Sequence, residues 1–203
     1  MKPAISLLPL IALAALLSAG CGSDSTEQVP VNPAGSAQVR EPAGSSGPSE
    51  LEDKLNRLGL QTPKEDLEAI EFSLKDLNGR ETSLREFDGR VVFLNFWATW
   101  CGPCRAEIPS MEQLYGELRD QGFTILAVNS QEPPEQVSAF VEESGMSFPV
   151  LLDAEGRIGA VYGVRAIPTT YIIGPQGAIL GRMVGTRDWN SPEIISLVKE
   201  LLP

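Results

Sequence analysis

The chain has 203 residues, with 16 basic and 27 acidic side chains, a formal net charge of -11 and no histidine. This acidic balance argues against a nucleic-acid partner, because phosphate contacts need clustered lysine and arginine. The absence of imidazole excludes Ser-His and Cys-His nucleophiles and histidine-ligated haem, copper or zinc, and we expect neither a cofactor nor a metal.

The first 20 residues have the pattern of a signal peptide. Met1-Lys2 precedes an apolar run that ends in small residues. An uncleaved membrane helix is the alternative, but the run is short for a span and is interrupted by Pro9. Residues 17–21, Leu-Ser-Ala-Gly-Cys, resemble the bacterial lipoprotein signal, in which the cysteine is acylated and becomes the new N-terminus. This resemblance implies that Cys21 is a lipid-attachment residue.

Residues 21–66 are predicted to be the lipid-attachment cysteine followed by a flexible tether. Residues 22–50 are dominated by Gly, Pro, Ser and Ala, so this stretch lacks the apolar surface needed to fold. A flexible chain of this length spans on the order of 30 Å, enough to hold a domain clear of a membrane. Residues 51–60 carry leucines at helical spacing and are either a short docking helix or part of the tether.

Residues 67–203 are predicted to form one α/β domain. Two short strand-like runs flank Asn78-Gly79, a strong hairpin signal, and indicate an edge hairpin. Residues 91–97 are apolar on both alternating faces, as expected of a central strand covered by helices. The helical pattern that follows ends near Gly122, and the strand pattern at 123–128 then predicts a right-handed parallel crossover.

The last third of the chain alternates helix and strand patterns. Helical patterns cover 134–144 and 158–162, with a short strand at 150–152 between them. Residues 169–173 and 178–184 form a predicted hairpin, and Ser191-Pro192 begins a last helix through Leu202. The whole pattern indicates a sheet with helices on both faces.

The sequence Trp100-Cys101-Gly102-Pro103-Cys104 lies at the predicted turn from the central strand into its helix. Two cysteines at this spacing indicate a redox pair. The free N–H groups of the helix N-terminus favour a thiolate at Cys101, the candidate nucleophile, whereas Cys104 lies one turn along and is the candidate resolving thiol. The alternative, half of a zinc site, needs about four ligands. The chain offers no histidine and one further cysteine, far away in sequence.

Two motifs resemble the thioredoxin superfamily and, within it, the membrane-anchored TlpA/ResA-like branch. The first is residues 96–109, Phe-Trp-Ala-Thr-Trp-Cys-Gly-Pro-Cys-Arg-Ala-Glu-Ile-Pro; the second is residues 163–171, similar to the family's loop before a strand. The resemblance implies a thioredoxin-like fold with a central mixed sheet, helices on both faces and an N-terminal β-hairpin extension. It also implies a cis Ile167–Pro168 bond that presents the Ile167 backbone to a substrate strand.

By this resemblance we expect an envelope thiol-disulfide oxidoreductase that reduces protein substrates with cysteine pairs, and the branch it resembles includes reductants of apocytochrome c. The dipeptide Gly102-Pro103 is that of thioredoxin, with a potential of about -270 mV, which favours a reductant. We expect a lipid-anchored monomer with its domain in the extracytoplasmic space and an unidentified membrane electron donor. The alternatives are a thiol oxidase or isomerase of the same fold, a metal-carrying protein, or a binding lipoprotein without redox activity.

The predicted catalytic residues are Cys101, Cys104 and Glu107. Glu107 shares a helical stripe with Cys104, so its carboxylate is expected to face the core and handle the Cys104 proton. The alternative is a solvated helix carboxylate. Asn95 stands where cytoplasmic thioredoxins, by resemblance, hold a buried acid. The predicted substrate-binding residues are Trp100, Gly102, Pro103, Ile167 and Pro168.

Overall fold

Seven strands form one mixed sheet in the computed structural model, which describes residues 49–203. The strands are β1 (Ser73–Asp76), β2 (Glu81–Ser83), β3 (Val91–Trp97), β4 (Phe123–Ser130), β5 (Val150–Asp153), β6 (Thr169–Ile173) and β7 (Ile179–Val184). Their order is β2-β1-β5-β4-β3-β6-β7. The pairs β3–β4 and β4–β5 are parallel, and the other pairs are antiparallel. The predicted signal peptide, Cys21 and most of the predicted tether lie outside the described residues.

The centre of the sheet is the predicted crossover. All seven residues of β3 are buried, as the continuous apolar pattern predicts. β3 pairs in parallel with β4 from Val91–Phe123 to Trp97–Asn129, and the connecting chain forms α2 (Gly102–Leu118). The cysteine motif therefore lies at the carboxyl end of a central parallel strand, where open α/β sheets place their sites.

Helices cover both faces of this sheet, as predicted. They are α1 (Glu50–Arg57), α2, α3 (Pro134–Ser144), α4 (Arg157–Val161) and α5 (Pro192–Leu201). Phe93 belongs to one core cluster, together with buried residues of α2 and α5. Leu94, its neighbour in β3, belongs to a second cluster, against which Ile158 of α4 packs. Successive residues of a strand point to opposite faces, so these clusters lie on opposite faces of the sheet.

The predicted β-hairpin lies at one edge of the sheet. β1 and β2 pair antiparallel, and Gly79 in their connection has a left-handed φ of 79°, which glycine adopts without strain. β1 also pairs with β5, so the hairpin extends the sheet on the side away from β6 and β7.

The folded unit begins before residue 67, because α1 packs into the core. Ser49 caps α1 in a reciprocal capping box with Glu52. Leu55 and Leu60 are 1% and 2% exposed and join the main core cluster. Gln61 forms a bridge with Arg182 of β7. The docking-helix interpretation of 51–60 therefore holds, and the described part of the predicted tether is folded.

Candidate active site

Cys101 and Cys104 are joined at the start of α2. Cys101 is the N-cap of the helix, and the Cys104 N–H donates to its Sγ at 3.2 Å. The two residues form a disulfide with a Cα–Cα distance of 5.3 Å. Cys101 is 4% exposed and Cys104 is 1% exposed. When the pair is reduced, the N–H groups and dipole of α2 favour the thiolate of Cys101, the outer sulfur.

The second predicted motif lies against this sulfur. The Ile167–Pro168 bond is cis, as predicted. The carbonyl oxygen of Ile167 is 3.8 Å from the Sγ of Cys101. The main chain before β6 therefore faces the redox centre.

The segment after β7 joins these two motifs, and sequence reasoning missed it. The Gly185 N–H donates to the carbonyl of Pro168 at 2.9 Å. The hydroxyl of Thr186 donates to the carbonyl of Pro103 at 3.0 Å. Two neighbouring residues therefore hold the cis-proline segment and the cysteine motif at a fixed separation.

The tryptophans beside the cysteines have different environments. Trp97 is 2% exposed in the core, whereas Trp100 is 69% exposed next to Cys101. Gly102 and Pro103 are also exposed. Because a large exposed aromatic side chain is costly to leave in water, Trp100 offers a contact surface beside the reactive sulfur.

Glu107 is buried on the inner face of α2, as its helical stripe predicts, with 1% of its surface exposed. Its two oxygens accept hydrogen bonds from the side-chain amide of Asn95 at 3.0 Å and from the indole N–H of Trp189 at 2.9 Å. Burial raises the pKa of the Glu107 carboxyl to about 7, and the bonds from Trp189 and Asn95 only partly oppose this. The solvated-carboxylate alternative is excluded by this burial.

Asn95 and Trp189 form the polar lining around this carboxyl. The Asn95 amide also donates to the hydroxyl of Thr170 at 2.9 Å, so both of its N–H groups are used. The amide in an otherwise apolar strand was the sequence signal for a special position here. Trp189 precedes the N-cap of α5 and carried no comparable signal.

A second buried carboxylate, Glu132, holds the chain just before the cysteines. It is 5% exposed and accepts hydrogen bonds from the N–H and hydroxyl of Thr99, at 2.7 and 2.5 Å. Asn129 and Gln136 donate to it at 2.7 and 2.9 Å. Sequence analysis did not identify this group. The one feature of the sequence that pointed to Glu132 was its position just after β4, at the carboxyl edge of the sheet.

Comparison with known proteins identifies the family. The model of the AhpC/TSA family matches residues 66–181, more than half of the chain. The chain belongs to the AhpC/TSA family. Two curated relatives are named thiol-disulfide oxidoreductase ResA. That of Halalkalibacterium halodurans is 47% identical over 56% of this chain and 64% of its own length, slightly under two thirds. That of Bacillus subtilis is 39% identical over 63% of this chain and 72% of its own length.

Solved structures agree with this family assignment. A putative thiol:disulfide interchange protein DsbE from Chlorobium tepidum matches with a TM-score of 0.64 and 31% identity, over 69% of this chain and 99% of that one. These matches confirm the predicted thioredoxin-like fold and the predicted thiol-disulfide oxidoreductase class. Within residues 49–203, no helix has both the length and the apolar character needed to cross a membrane.

Proposed function

We propose that this AhpC/TSA family protein is an exported protein-disulfide reductase that uses Cys101 as nucleophile and Cys104 as resolving thiol. The observation that carries the proposal is the position of the Cys101 sulfur, at the N-cap of α2 and facing the Ile167 carbonyl, with Cys104 buried beneath it. An outer sulfur in a field that favours thiolate is suited to attack, and an inner one to resolution.

The reaction is a pair of thiol-disulfide exchanges. The Cys101 thiolate attacks one sulfur of a substrate disulfide, a mixed disulfide forms, and the other substrate sulfur leaves as a thiolate. The Cys104 thiolate then attacks the Cys101 Sγ and displaces the second substrate thiolate. The substrate gains two electrons and two protons, and the protein is left with the Cys101–Cys104 disulfide.

Glu107 is proposed as the proton acceptor for Cys104. A buried thiol has a raised pKa and is a slow nucleophile unless a base removes its proton. A carboxyl with a pKa of about 7 on the same helical face is poised for this exchange near neutral pH. Trp100, Gly102, Pro103, Ile167 and Pro168 form the proposed substrate-binding surface around the sulfur.

The proposed direction is reduction, supported by the Gly102-Pro103 dipeptide, which thioredoxin uses at about -270 mV. The proposed substrates are extracytoplasmic proteins with cysteine pairs, apocytochrome c among them, and a membrane electron donor would restore the dithiol. If the protein is instead an oxidase or isomerase, its measured potential should lie near the -180 to -120 mV typical of those classes.

The trapping test uses Cys104→Ser in the cells that make the protein. This variant keeps the nucleophile but lacks the resolving thiol, so mixed disulfides with Cys101 should accumulate and be released by reductant. Cys101→Ser/Cys104→Ser is the matched control and should capture none. Failure of wild-type protein to reduce insulin, with no adducts in the trapping variant, would refute the proposal.

The anchor is a separate part of the proposal. We propose that Cys21 is acylated after cleavage of residues 1–20 and that residues from 21 onward tether the domain to the extracytoplasmic face of a membrane. More than one acyl chain is needed for stable attachment. Cys21→Ala should therefore leave the membrane fraction or stay uncleaved, while Ser23→Ala should not change attachment. A mature N-terminus other than Cys21 would contradict the anchor without affecting the redox proposal.

A further inference from the structure

A groove of about 710 Å³ begins beside the redox centre and runs along one side of the cis-proline segment. Trp100 and Ile167 form its end nearest Cys101, and Gln131, Ala160 and Val164 form part of its wall. Arg165 is the only charged residue among those that line it. The other lining residues are uncharged, so the Arg165 guanidinium alone gives the groove its positive charge.

Arg165 is exposed and has no carboxylate within 4.0 Å among the described residues. Arg157 at the start of α4, by contrast, pairs with Glu155 at 3.4 Å. Arg165 therefore keeps its charge and its hydrogen-bond donors available to a molecule in the groove.

The main chain of this segment is also available. Among the described hydrogen bonds, the N–H groups of Arg165 and Ile167 donate to no protein group. Unpaired main-chain groups of this kind are the edge on which an extended peptide adds a strand. In an extended partner, residues two positions apart lie on one face. Arg165 and Ile167 both line the groove, so a partner residue two positions from the one facing Ile167 can reach Arg165.

We infer that this groove binds an extended substrate segment in which an acidic side chain stands two residues from the reacting cysteine and pairs with Arg165. The inference rests on the proposed function, because the Ile167 carbonyl, 3.8 Å from the Cys101 Sγ, marks where the substrate sulfur must lie. Arg165 is thus a specificity residue for acidic protein segments, and it takes no part in the exchange chemistry.

The test measures one exchange step with defined peptides. Reduced full-length Cys104→Ser, with Cys21→Ala added so that Cys101 is the one thiol of the chain, reacts with seven-residue peptides whose single cysteine carries a thionitrobenzoate disulfide. The Cys101 thiolate attacks the peptide sulfur, forms the mixed disulfide and releases thionitrobenzoate, the better leaving group, which is followed by absorbance. The peptides carry Asp, Ser or Lys at either the second position before or the second position after the cysteine, with serine elsewhere.

We expect the Asp peptide of one of these two series to react about two- to fivefold faster than its Ser counterpart, and the Lys peptide to react more slowly than Ser. In the Cys104→Ser background, Arg165→Gln should remove this preference and Arg165→Glu should reverse it. Arg85→Glu makes the same change of net charge near the opposite end of β3 and should keep the wild-type preference. High salt should reduce the preference in the parent.

Two results would overturn the inference. One is equal rates for the Asp, Ser and Lys peptides in the parent protein, and the other is a preference that survives Arg165→Gln. Reaction with a small uncharged disulfide keeps these results separate from the proposed function. If that reaction stays intact while the peptide preference is absent, only the groove assignment fails; if Cys101 does not react with any disulfide, the proposed function fails.

Discussion

Glu107 and Glu132 are two buried carboxylates that flank the cysteine motif in different ways. Glu132 accepts four hydrogen bonds, two on each oxygen, and holds Thr99 two residues before Cys101. Glu107 accepts one side-chain hydrogen bond on each oxygen and lies one helical turn after Cys104. Both are almost fully buried, so the number of donors around them, and not the depth of burial, separates the two sites.

This difference separates a structural carboxylate from one suited to chemistry. A carboxylate surrounded by donors is held in one place, because both lone pairs of each oxygen already accept a hydrogen bond. A buried carboxylate with fewer donors is poorly compensated for the loss of water, and the pKa of Glu107 rises to about 7 for this reason. The comparison predicts that Glu132 acts on stability and Glu107 acts on the pH dependence of both stability and exchange.

The largest effect is expected for Glu132→Gln. All four bonds lose the charge of their acceptor in this variant, and an NH₂ group in place of Oε2 also faces the main-chain N–H of Thr99, which cannot accept. We expect the free energy of unfolding to fall by about 4 kcal/mol, measured by urea denaturation of the oxidised protein. Glu143→Gln, an exposed change on α3, should alter it by about 0.5 kcal/mol or less. A loss below about 1 kcal/mol for Glu132→Gln would show that the four bonds do not hold the turn.

The next effect is the pH dependence of stability due to Glu107. The pKa of Glu107 is about 7 in the folded protein and 4.5 for an ordinary glutamate in water, so the folded state binds the proton more tightly. The stabilisation is therefore complete below about pH 4.5 and is lost as pH rises through about 7, amounting to about 3 kcal/mol. Urea denaturation between these pH values should show this loss in wild type. Glu107→Gln should lack that part of the slope, and parallel curves for the two proteins would contradict the assignment.

The effect on exchange comes third. Glu107→Gln keeps the shape of the side chain but removes the proton acceptor, so attack by Cys104 on the mixed disulfide should slow about a hundredfold near pH 7. In wild type the rate of this step should rise through about pH 7 as Glu107 ionises, and this inflection should vanish in the variant. Stopped-flow release of the second substrate thiol measures it. Alkylation of Cys101 by iodoacetamide is the control and should change little.

If Glu107→Gln has the turnover and the pH profile of wild type, the proposed difference in role between Glu107 and Glu132 is wrong. Glu107 would then be a second structural carboxylate, and the proton of Cys104 would pass to solvent. The stability measurement keeps these cases apart, because the pH slope reports the pKa of Glu107 whether or not the carboxyl takes part in exchange.

Most of the fold follows from local pattern. The unbroken apolar run of β3 predicts burial on both faces, and Asn78-Gly79 predicts the edge hairpin, because each depends on residues close in sequence. The position of α1 does not follow in the same way. The spacing of Leu55 and Leu60 fits a short helix, but their burial depends on contacts with β7. Leu60 packs closely over Gly181 of β7, since a Cβ atom added to that glycine would lie 3.4 Å from the Cβ of Leu60.

In the candidate site too, features that depend on residues close in sequence were predictable, and features that depend on distant residues were not. Cys101, Cys104 and Glu107 share one helix, so helical spacing places all three, and the buried state of Glu107 follows from its stripe. The partners that define their environment come from distant parts of the chain. Trp189 is 82 residues from Glu107, Thr186 is 83 residues from Pro103, and Glu132 is 33 residues from Thr99. No periodic pattern links such pairs, and only the folded sheet brings them together.

The smallest effect is expected for Trp189→Phe, which tests whether the number of hydrogen-bond donors to the Glu107 carboxylate sets its pKa. This change removes the indole N–H that donates to Glu107 at 2.9 Å but keeps an aromatic ring to pack against Phe93, whose centroid lies 5.3 Å from that of Trp189. The bond from Trp189 lowers the pKa of Glu107, so its loss should move that pKa above about 7. The inflection in the resolution rate should shift upward by about one pH unit, equivalent to about 1.4 kcal/mol.

The shape of the pH profile identifies the cause of any change in Trp189→Phe. If the donor count sets the proton affinity of Glu107, the variant should be slower than wild type near pH 7 and should approach the wild-type rate at higher pH, where Glu107 is ionised in both. If the smaller ring only loosens the packing around α2, the rate should fall by the same factor at every pH. An inflection that stays at the wild-type position would show that the bond from Trp189 does not set the pKa of Glu107, and that burial and the remaining donors, among them the Asn95 amide at 3.0 Å, are sufficient.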